Sequence, residues 1–320
     1  MGTIYFHSPC FDGIVSAALT ADFLLTNNHW DSVKLEAVDY DSKSTWLNVD
    51  LDKPTAVVDF LFHPQADFWA DHHPTAFLTN KARDDYLEKA GRCCIFDVDY
   101  DSCAELLWIH FKEHFGHRNA QFENLIESAS KIDAAKYSSP NEAVFGESPA
   151  LMLNRSLAIP DDSQKYSEQL VQFLLSMSIE ELLQQEEIQE RINQASQLML
   201  EGYQRLERNI SITKQGTVAF QVNGNGVIIP RYAPYMIMPN AEYSVGLIEY
   251  GVFSKLTAMR NPWLELPNVH LGKLFEAYGG GGHRRVGSVI LDKDMDQVSI
   301  LHEIIQSIEI KARECEDNYD

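Results

Sequence analysis

Thr3-Ile4-Tyr5-Phe6-His7-Ser8-Pro9-Cys10-Phe11-Asp12-Gly13 decides how this chain folds. Residues 3–6 form a short β-rich run of the kind buried inside a sheet, and residues 12–25 follow as a proline-free helical stretch. His7, Cys10 and Asp12, all able to ligate a cation, stand where the strand hands over to the helix. Residues 33–38, 55–59 and 92–96 read as further strands with helical segments between them. Strands alternating with helices predict a Rossmann-like α/β domain with a mainly parallel sheet. Such sheets collect functional groups beyond the carboxyl ends of their strands, where His7, Asp12 and Asp59 all fall.

Asp71-His72-His73 is the densest group of ligand-type residues in the chain. Carboxylate oxygen and imidazole nitrogen both suit Mn²⁺-class ions. Asp133 lies further along in Ser130-Lys131-Ile132-Asp133-Ala134-Ala135, and a glycine run with a basic end, Gly279-Gly280-Gly281-Gly282-His283-Arg284-Arg285, comes near the C-terminus. Each piece has an ordinary reading taken singly. Asp59 serves as a turn or cap residue, Asp133 as a helix-surface carboxylate, and the glycines as a helix C-cap. Four glycines exceed what a cap requires, and they let backbone N–H groups approach an anion.

The bulk properties narrow the choice. The chain has 320 residues, 45% hydrophobic and 23% charged, which suits a globular protein of two domains. No apolar run approaches the roughly 18–20 residues that span a bilayer, and no signal peptide is evident, so a cytoplasmic protein without membrane partners is expected. Five cysteines without zinc-type or CxxC spacing predict reduced, mostly buried thiols. A net charge of −21, with basic clusters only at Arg284-Arg285 and at Arg205 with Arg208, argues against long duplex nucleic acid as partner. It suits a small phosphorylated substrate or a short single-stranded oligonucleotide.

Later segments continue the α/β pattern. Ser102 and Glu105 have capping-box spacing before a helix over 103–115. Ser178 and Glu181 repeat it before one long helix reaching residue 208. Residues 217–222, 227–230, 245–250, 255–259 and 286–291 read as strands, and 269–278 as a helix before the glycine run, with an amphipathic helix at the end. Asp97-x-Asp99-x-Asp101 lacks the glycine of a calcium loop, and the zinc-protease-like pattern from His110 to His114 sits on a short helix.

In this order the motifs resemble those of the DHH phosphoesterase family with its C-terminal DHH-associated domain. The resemblance covers nearly the whole chain and rests on His7-x-x-Cys10-x-Asp12-Gly13, Val57-Val58-Asp59-Phe60, Asp71-His72-His73, Asp133 and Gly280-Gly281-Gly282-His283. It implies two Mn²⁺ ions, with Mg²⁺ as the alternative, and a second, smaller α/β domain with a mixed sheet. Asp59 would bridge the ions, Asp12, His72 and Asp133 would complete one site, and His7 would serve the other. Cys10 stands near the place of a family aspartate and is a further ligand candidate. His73 and Asp71 would be catalytic or substrate-orienting groups. Arg260, the backbone at Gly280, Gly281 and Gly282, His283 and Arg284 would bind substrate, with Arg285 the weakest carry-over.

The expected organisation is therefore a catalytic domain over 1–160, a helical connector over 161–210 and a substrate-binding domain over 211–320, with the active site in the cleft between the domains. The activity this predicts is hydrolysis of short oligonucleotides, nucleotide phosphates or dinucleotides. Inorganic polyphosphate or pyrophosphate hydrolysis and a non-catalytic sensor of a phosphorylated ligand are the alternatives. Tyr232, Tyr235 and Trp263 are candidates for a base-stacking platform that would favour nucleotides.

Overall fold

The computed structural model describes residues 1–27, 29–161, 165–266, 269–282 and 284–316, without the side chains of 315 and 316. His283 lies outside the described residues. The chain divides into two compact units, Met1–Tyr137 with Glu147–Gln194, and Ser138–Gly146 with Ala195–Asp320.

The first unit opens with β1 (Gly2–His7), α1 (Phe11–Thr26), β2 (Val33–Val38), β3 (Thr55–Val58), β4 (Phe68–Asp71), α2 (Asn80–Lys89) and β5 (Cys94–Phe96). It continues through α3 (Cys103–Phe115) and α4 (Glu123–Asp133). After α5 (Pro140–Phe145), which belongs to the second unit, come α6 (Pro149–Ser156), α7 (Lys165–Leu174), α8 (Ile179–Leu182) and α9 (Glu186–Glu207). The five strands pair in parallel in the order β2-β1-β3-β4-β5.

Period-two alternation divides each central strand between two apolar layers. Ile4, Phe6, Ala56, Val58, Phe68 and Ala70 face a layer built with α1, α3, α4 and α7, whereas Tyr5, Val57 and Trp69 face a second built with Trp46, Phe60 and Phe62. Burying each of the larger aliphatic or Phe side chains contributes about 1.5–3 kcal/mol. The two buried indoles also tie down the loop leaving β3: Trp69 Nε1 donates to Phe60 O and Trp46 Nε1 to Leu61 O, both at 2.9 Å. The residue immediately before that loop is Asp59.

The second unit contains β6 (Ile210–Ile212), β7 (Thr217–Asn223), α10 (Ala233–Ile237), β8 (Tyr243–Glu249), β9 (Phe253–Arg260), α11 (Leu271–Glu276), β10 (Gly281–Gly282), β11 (Val286–Asp292) and α12 (Gln297–Glu316). Its sheet runs β10-β11-β9-β8-β7-β6 and is mixed, since only β7 and β8 pair in parallel. The whole is a two-domain α/β fold.

Several sequence expectations change here. The strand β4 escapes the sequence pattern because it is only four residues long and fully buried, so it shows no alternation. The short edge strand β6 escapes it as well. The segment 227–230 is not a strand: Ile228 N–H donates to Leu198 O of α9, and its carbonyl packs against Gly202. A Cβ on Gly202 would sit 2.0 Å from Ile228 O, so the close approach needs glycine. The single helix expected over 178–208 breaks after Leu182, where adjacent Leu182 and Leu183 are both buried, and restarts at Glu186. Cys93 is exposed, Cys10 half-buried, and Cys94 and Cys103 buried.

Candidate metal centre

Every ligand candidate of the first unit sits at the end of an element. His7 ends β1, Asp59 follows β3, Asp71 ends β4 with His72 and His73 after it, and Asp133 ends α4. Because the strand order turns back at β1, the crevice between β1 and β3 is the topological switch point of the sheet. His7 and Asp59 stand at its mouth, with His7 Nδ1 3.5 Å from Asp59 Oδ2.

Asp59 adopts a left-handed backbone, φ 53°, which aspartate tolerates better than most residues. Its N–H is held by Ala70 O at 3.0 Å, and its carboxylate is fully buried. Oδ1 lies 3.6 Å from His73 Nδ1 and 4.0 Å from His72 Nε2. Among the described residues neither carboxylate oxygen has a hydrogen-bond partner. Gly13 makes this approach possible: a Cβ there would lie 2.1 Å from His7 O and 3.2 Å from Asp59 Oδ2.

Asp12 is anchored by the first turn of α3. Cys103 N–H donates to Oδ2 at 2.7 Å and Ala104 N–H to Oδ1 at 2.9 Å. The positive end of that helix favours the carboxylate. Burial still pushes its carboxyl well above the ordinary range, reinforced by the Asp59 and Asp133 charges. The N-cap hydroxyl of Ser102 accepts from Glu105 N–H, while Glu105 reaches back to Asp101 N–H.

His72 is aimed by its other ring nitrogen. Nδ1 faces Tyr100 O at 3.1 Å, which places the proton there and leaves Nε2 bare. Nε2 lies 3.3 Å from Asp133 Oδ2 and 3.7 Å from Asp12 Oδ2. Asp71 Oδ1 accepts from His72 N–H (2.7 Å), from His73 N–H (3.2 Å) and from His73 Nδ1 (2.8 Å), so one carboxylate orients both histidines. Burial depresses both imidazoles, but nearby acids outweigh it. Asp133 with Asp12 and Asp59 pushes His72 up to about 9, and Asp71 with Asp59 and Asp133 pushes His73 up to about 10. Burial likewise favours the neutral acid of Asp59, yet His7, His73 and His72 hold its carboxyl below the ordinary value. Burial and the Asp59, Asp133 and Asp12 charges keep the Cys10 thiol protonated.

Three overlapping sets bring ligand atoms within 4.8 Å of one another: Asp59, Asp71, His72 and His73; His7, Cys10 and Asp59; and Asp12, His72 and Asp133. Asp59 belongs to two of them. The bare buried atoms, His7 Nδ1, both Asp59 oxygens, Asp71 Oδ2 and His72 Nε2, face an acidic interior without hydrogen bonds. Such groups are costly unless a cation satisfies them. The donor set of carboxylates and imidazoles suits a divalent cation.

In the second unit, Arg260 ends β9 and its N–H donates to Arg285 O at 2.9 Å. Among the described residues its buried Nε has no partner, and Leu266 O, at 3.4 Å, takes up part of its donor fork. Burial lowers the affinity of its guanidinium for the proton, with Arg285 adding to the effect. Arg284 and Arg285 are exposed beside the hairpin in which Gly281 and Gly282 of β10 face Ser288 and Gly287 of β11. Backbone geometry explains most of the glycine run. Gly279 and Gly282 have positive φ, and a Cβ on Gly280 would lie 2.3 Å from Ser288 O. The expected aromatic platform is corrected: Tyr235 is fully buried, with its hydroxyl hydrogen-bonded to Met259 O at 2.6 Å, so no base can stack on it. Tyr232 and Trp263 pack edge to face at 5.6 Å.

The two-domain α/β fold is one the chain shares with solved structures that include a DHH-domain protein. The pGpG-specific phosphodiesterase PggH from Vibrio cholerae superposes with a TM-score of 0.72 at 18% identity, over 96% of this chain and 99% of that one. The DHH domain of a member of a ribosomal-protein family gives 0.56 at 11% identity, over 96% and 86%. The exonuclease RecJ bound to manganese gives 0.52 at 12% identity, over 98% and 90%. No family model matches the sequence, and no curated protein matches it. Among the described residues no helix is long and apolar enough to cross a membrane.

Proposed function

We propose that this chain is a divalent-metal-dependent phosphoester hydrolase acting on short oligonucleotides, dinucleotides or nucleotide phosphates. The observation that carries the proposal is the buried Asp59 carboxylate, bare at both oxygens and faced by three imidazoles. On this reading residues 1–160 carry the metals, 161–210 connect, and 211–320 grip the substrate. Asp59, Asp12, His72, Asp133 and His7, with Cys10 beside them, would hold two Mn²⁺ or Mg²⁺ ions. Bound there, the ions supply Lewis-acid polarisation of the phosphoryl group and activation of water.

The protein's own groups do the positioning. Tyr100 O keeps the His72 proton on Nδ1, and Asp71 holds His73 in place, an arrangement that supports ligand orientation. His73 and Asp71 then sit where they can orient the reacting groups. Arg260 offers its fork of donors to a phosphate, and Arg284, His283 and the backbone at Gly280, Gly281 and Gly282 complete the grip. A pGpG-specific phosphodiesterase and an exonuclease share the fold, which favours nucleotide esters.

The test is turnover by the Mn²⁺-loaded chain of a linear diribonucleotide against inorganic tripolyphosphate, with Asp59→Ala as the control. Dinucleotide hydrolysis that disappears in a folded Asp59→Ala chain is expected; hydrolysis that persists in it would rule the mechanism out.

A further inference from the structure

The three histidines of the metal centre are held in different ways. His72 Nδ1 faces Tyr100 O at 3.1 Å and His73 Nδ1 faces Asp71 Oδ1 at 2.8 Å, so a hydrogen bond aims each ring. A bond of this kind to one ring nitrogen is what usually orients a metal-binding imidazole. His7 lacks it. Its Nδ1 lies 3.5 Å from Asp59 Oδ2, and its Nε2 has no hydrogen-bond partner among the described residues. Rings flank it instead: Tyr40 stands edge-on at 4.8 Å between centroids, with planes 72° apart, and Phe60 lies tilted at 6.1 Å. Edge-to-face packing is a favoured geometry for aromatic pairs.

Both flanking rings are fixed in turn. Phe60 is fully buried, its ring meets Trp46 edge to face at 5.0 Å, and its carbonyl accepts from Trp69 Nε1. Tyr40 packs on Phe60 at 5.2 Å and reaches His7 through the pairing of β2 with β1. His7 lies opposite Val38, Ser8 N–H donates to Val38 O at 2.8 Å, and Tyr40 follows two residues later. Asp39 pins the turn, its Oδ1 accepting from Asp41 N–H at 3.2 Å and its carbonyl from Ser42 N–H at 3.0 Å. The Tyr40 hydroxyl has no hydrogen-bond partner among the described residues, so the ring makes the contact.

We propose that Tyr40 is the positioning residue of His7: its ring, backed by Phe60, holds the imidazole with Nδ1 towards Asp59. Ring packing thus takes the place of the hydrogen bonds that orient His72 and His73. The proposal deepens the hydrolase reading and rests on it, since there His7 serves a cation. It also makes the cation sites unequal. His7 is the one imidazole in the set with Cys10 and Asp59, whereas Asp12 and His72 of another set are held by hydrogen bonds of their own. Loss of the Tyr40 ring should therefore weaken one site and spare the other.

Tyr40→Phe keeps the ring and Tyr40→Leu keeps only apolar bulk. In the unsubstituted chain, EDTA-treated and isotope-labelled, NMR should show nuclear Overhauser contacts between the His7 and Tyr40 rings; their absence overturns the proposal, whether or not either variant folds. Calorimetric titration with Mn²⁺ should then resolve two binding steps. Tyr40→Phe should leave both within twofold, and Tyr40→Leu should weaken one about 10–100-fold and leave the other within twofold. A merely structural role would lower Tm without separating the steps. Unchanged affinities in Tyr40→Leu, equal losses at both steps, or a Tyr40→Phe chain as impaired as Tyr40→Leu overturn the proposal. If the unsubstituted chain binds fewer than two Mn²⁺, the two-ion hydrolase reading fails, and NMR of the metal-free variants decides. A His7 ring held as before in Tyr40→Phe but averaged among several orientations in Tyr40→Leu would still support the positioning role, and one fixed orientation in Tyr40→Leu overturns it.

Discussion

Asp59→Asn tests the metal centre without disturbing its shape. Asparagine matches the volume of aspartate and tolerates the left-handed backbone at this position, but it removes the negative charge that two ligand sets share. The quantity to follow is the Mn²⁺-dependent rise in Tm within each variant, so that differences in intrinsic stability cancel. At free Mn²⁺ a hundredfold above Kd, binding stabilises the native state by about 2.7 kcal/mol. For a folding unit of this size class, each kcal/mol is worth about 2–4 °C, so the unsubstituted chain gains about 5–11 °C. Losing a group that merely orients a ligand weakens metal sites by about 10–100-fold, and loss of a shared ligand should reach at least the upper figure. At the same Mn²⁺ concentration the increment then falls to about 0.4 kcal/mol, or about 1–2 °C. Scanning calorimetry of EDTA-treated protein, with and without added Mn²⁺ at about pH 7.5, makes the comparison. An Asp59→Asn chain that keeps a rise above about 5 °C, or an unsubstituted chain that shows none, refutes the shared-carboxylate site.

Three further outcomes follow from the geometry. Gly13→Ala drives a methyl into His7 O, and should cost about 1–3 kcal/mol or more in urea denaturation while weakening Mn²⁺ binding; a chain of unchanged stability and affinity would contradict the packing at β1 and α1. Asp71→Asn leaves the acceptor for both backbone N–H groups but loses the charge that holds His73, so turnover should fall about 10–100-fold with little change in Tm. Because the free His72 imidazole is pushed up to about 9, Mn²⁺ binding at pH 7 should release a proton, seen as a buffer-dependent enthalpy in calorimetry. The same raised values, about 9 for His72 and about 10 for His73 against 6.5 unfolded, stabilise the metal-free fold fully below pH 6.5. That contribution is lost as pH rises through 9 and 10, so the Tm of the EDTA-treated chain should fall across this range, and a flat profile would exclude the raised imidazoles.

The parts legible beforehand were those with local causes. Residues Cys103–Phe115 form the helix that Ser102 and Glu105 announce, and Val33–Val38 form the strand that their composition announces. The second capping box at Ser178 and Glu181 also forms, but only for one turn, because burying both Leu182 and Leu183 depends on partners distant in sequence. The strand Phe68–Asp71 was hidden for the same reason: with both faces covered, its pattern carries no period. Tyr100 and Tyr40 escaped notice as site residues. Tyr100 acts through a backbone carbonyl, which no side-chain pattern reveals, and Tyr40 touches His7 only because β2 lies beside β1.

By itself the sequence determined the alternation of strands and helices, the mainly parallel sheet of the first domain and the identity of the ligand-type residues. Those follow from period, capping and side-chain chemistry, which are properties of neighbouring residues. Only the tertiary structure decided which carboxylate is bare, which histidine nitrogen is free and which groups share a cavity. Asp12 and Asp59 are both buried acids, yet Asp12 is bonded to two amides of α3 and Asp59 to none. That difference arises from the strand order and the placing of a helix N-terminus far along the chain, as between Asp12 and Cys103, and no local rule contains it.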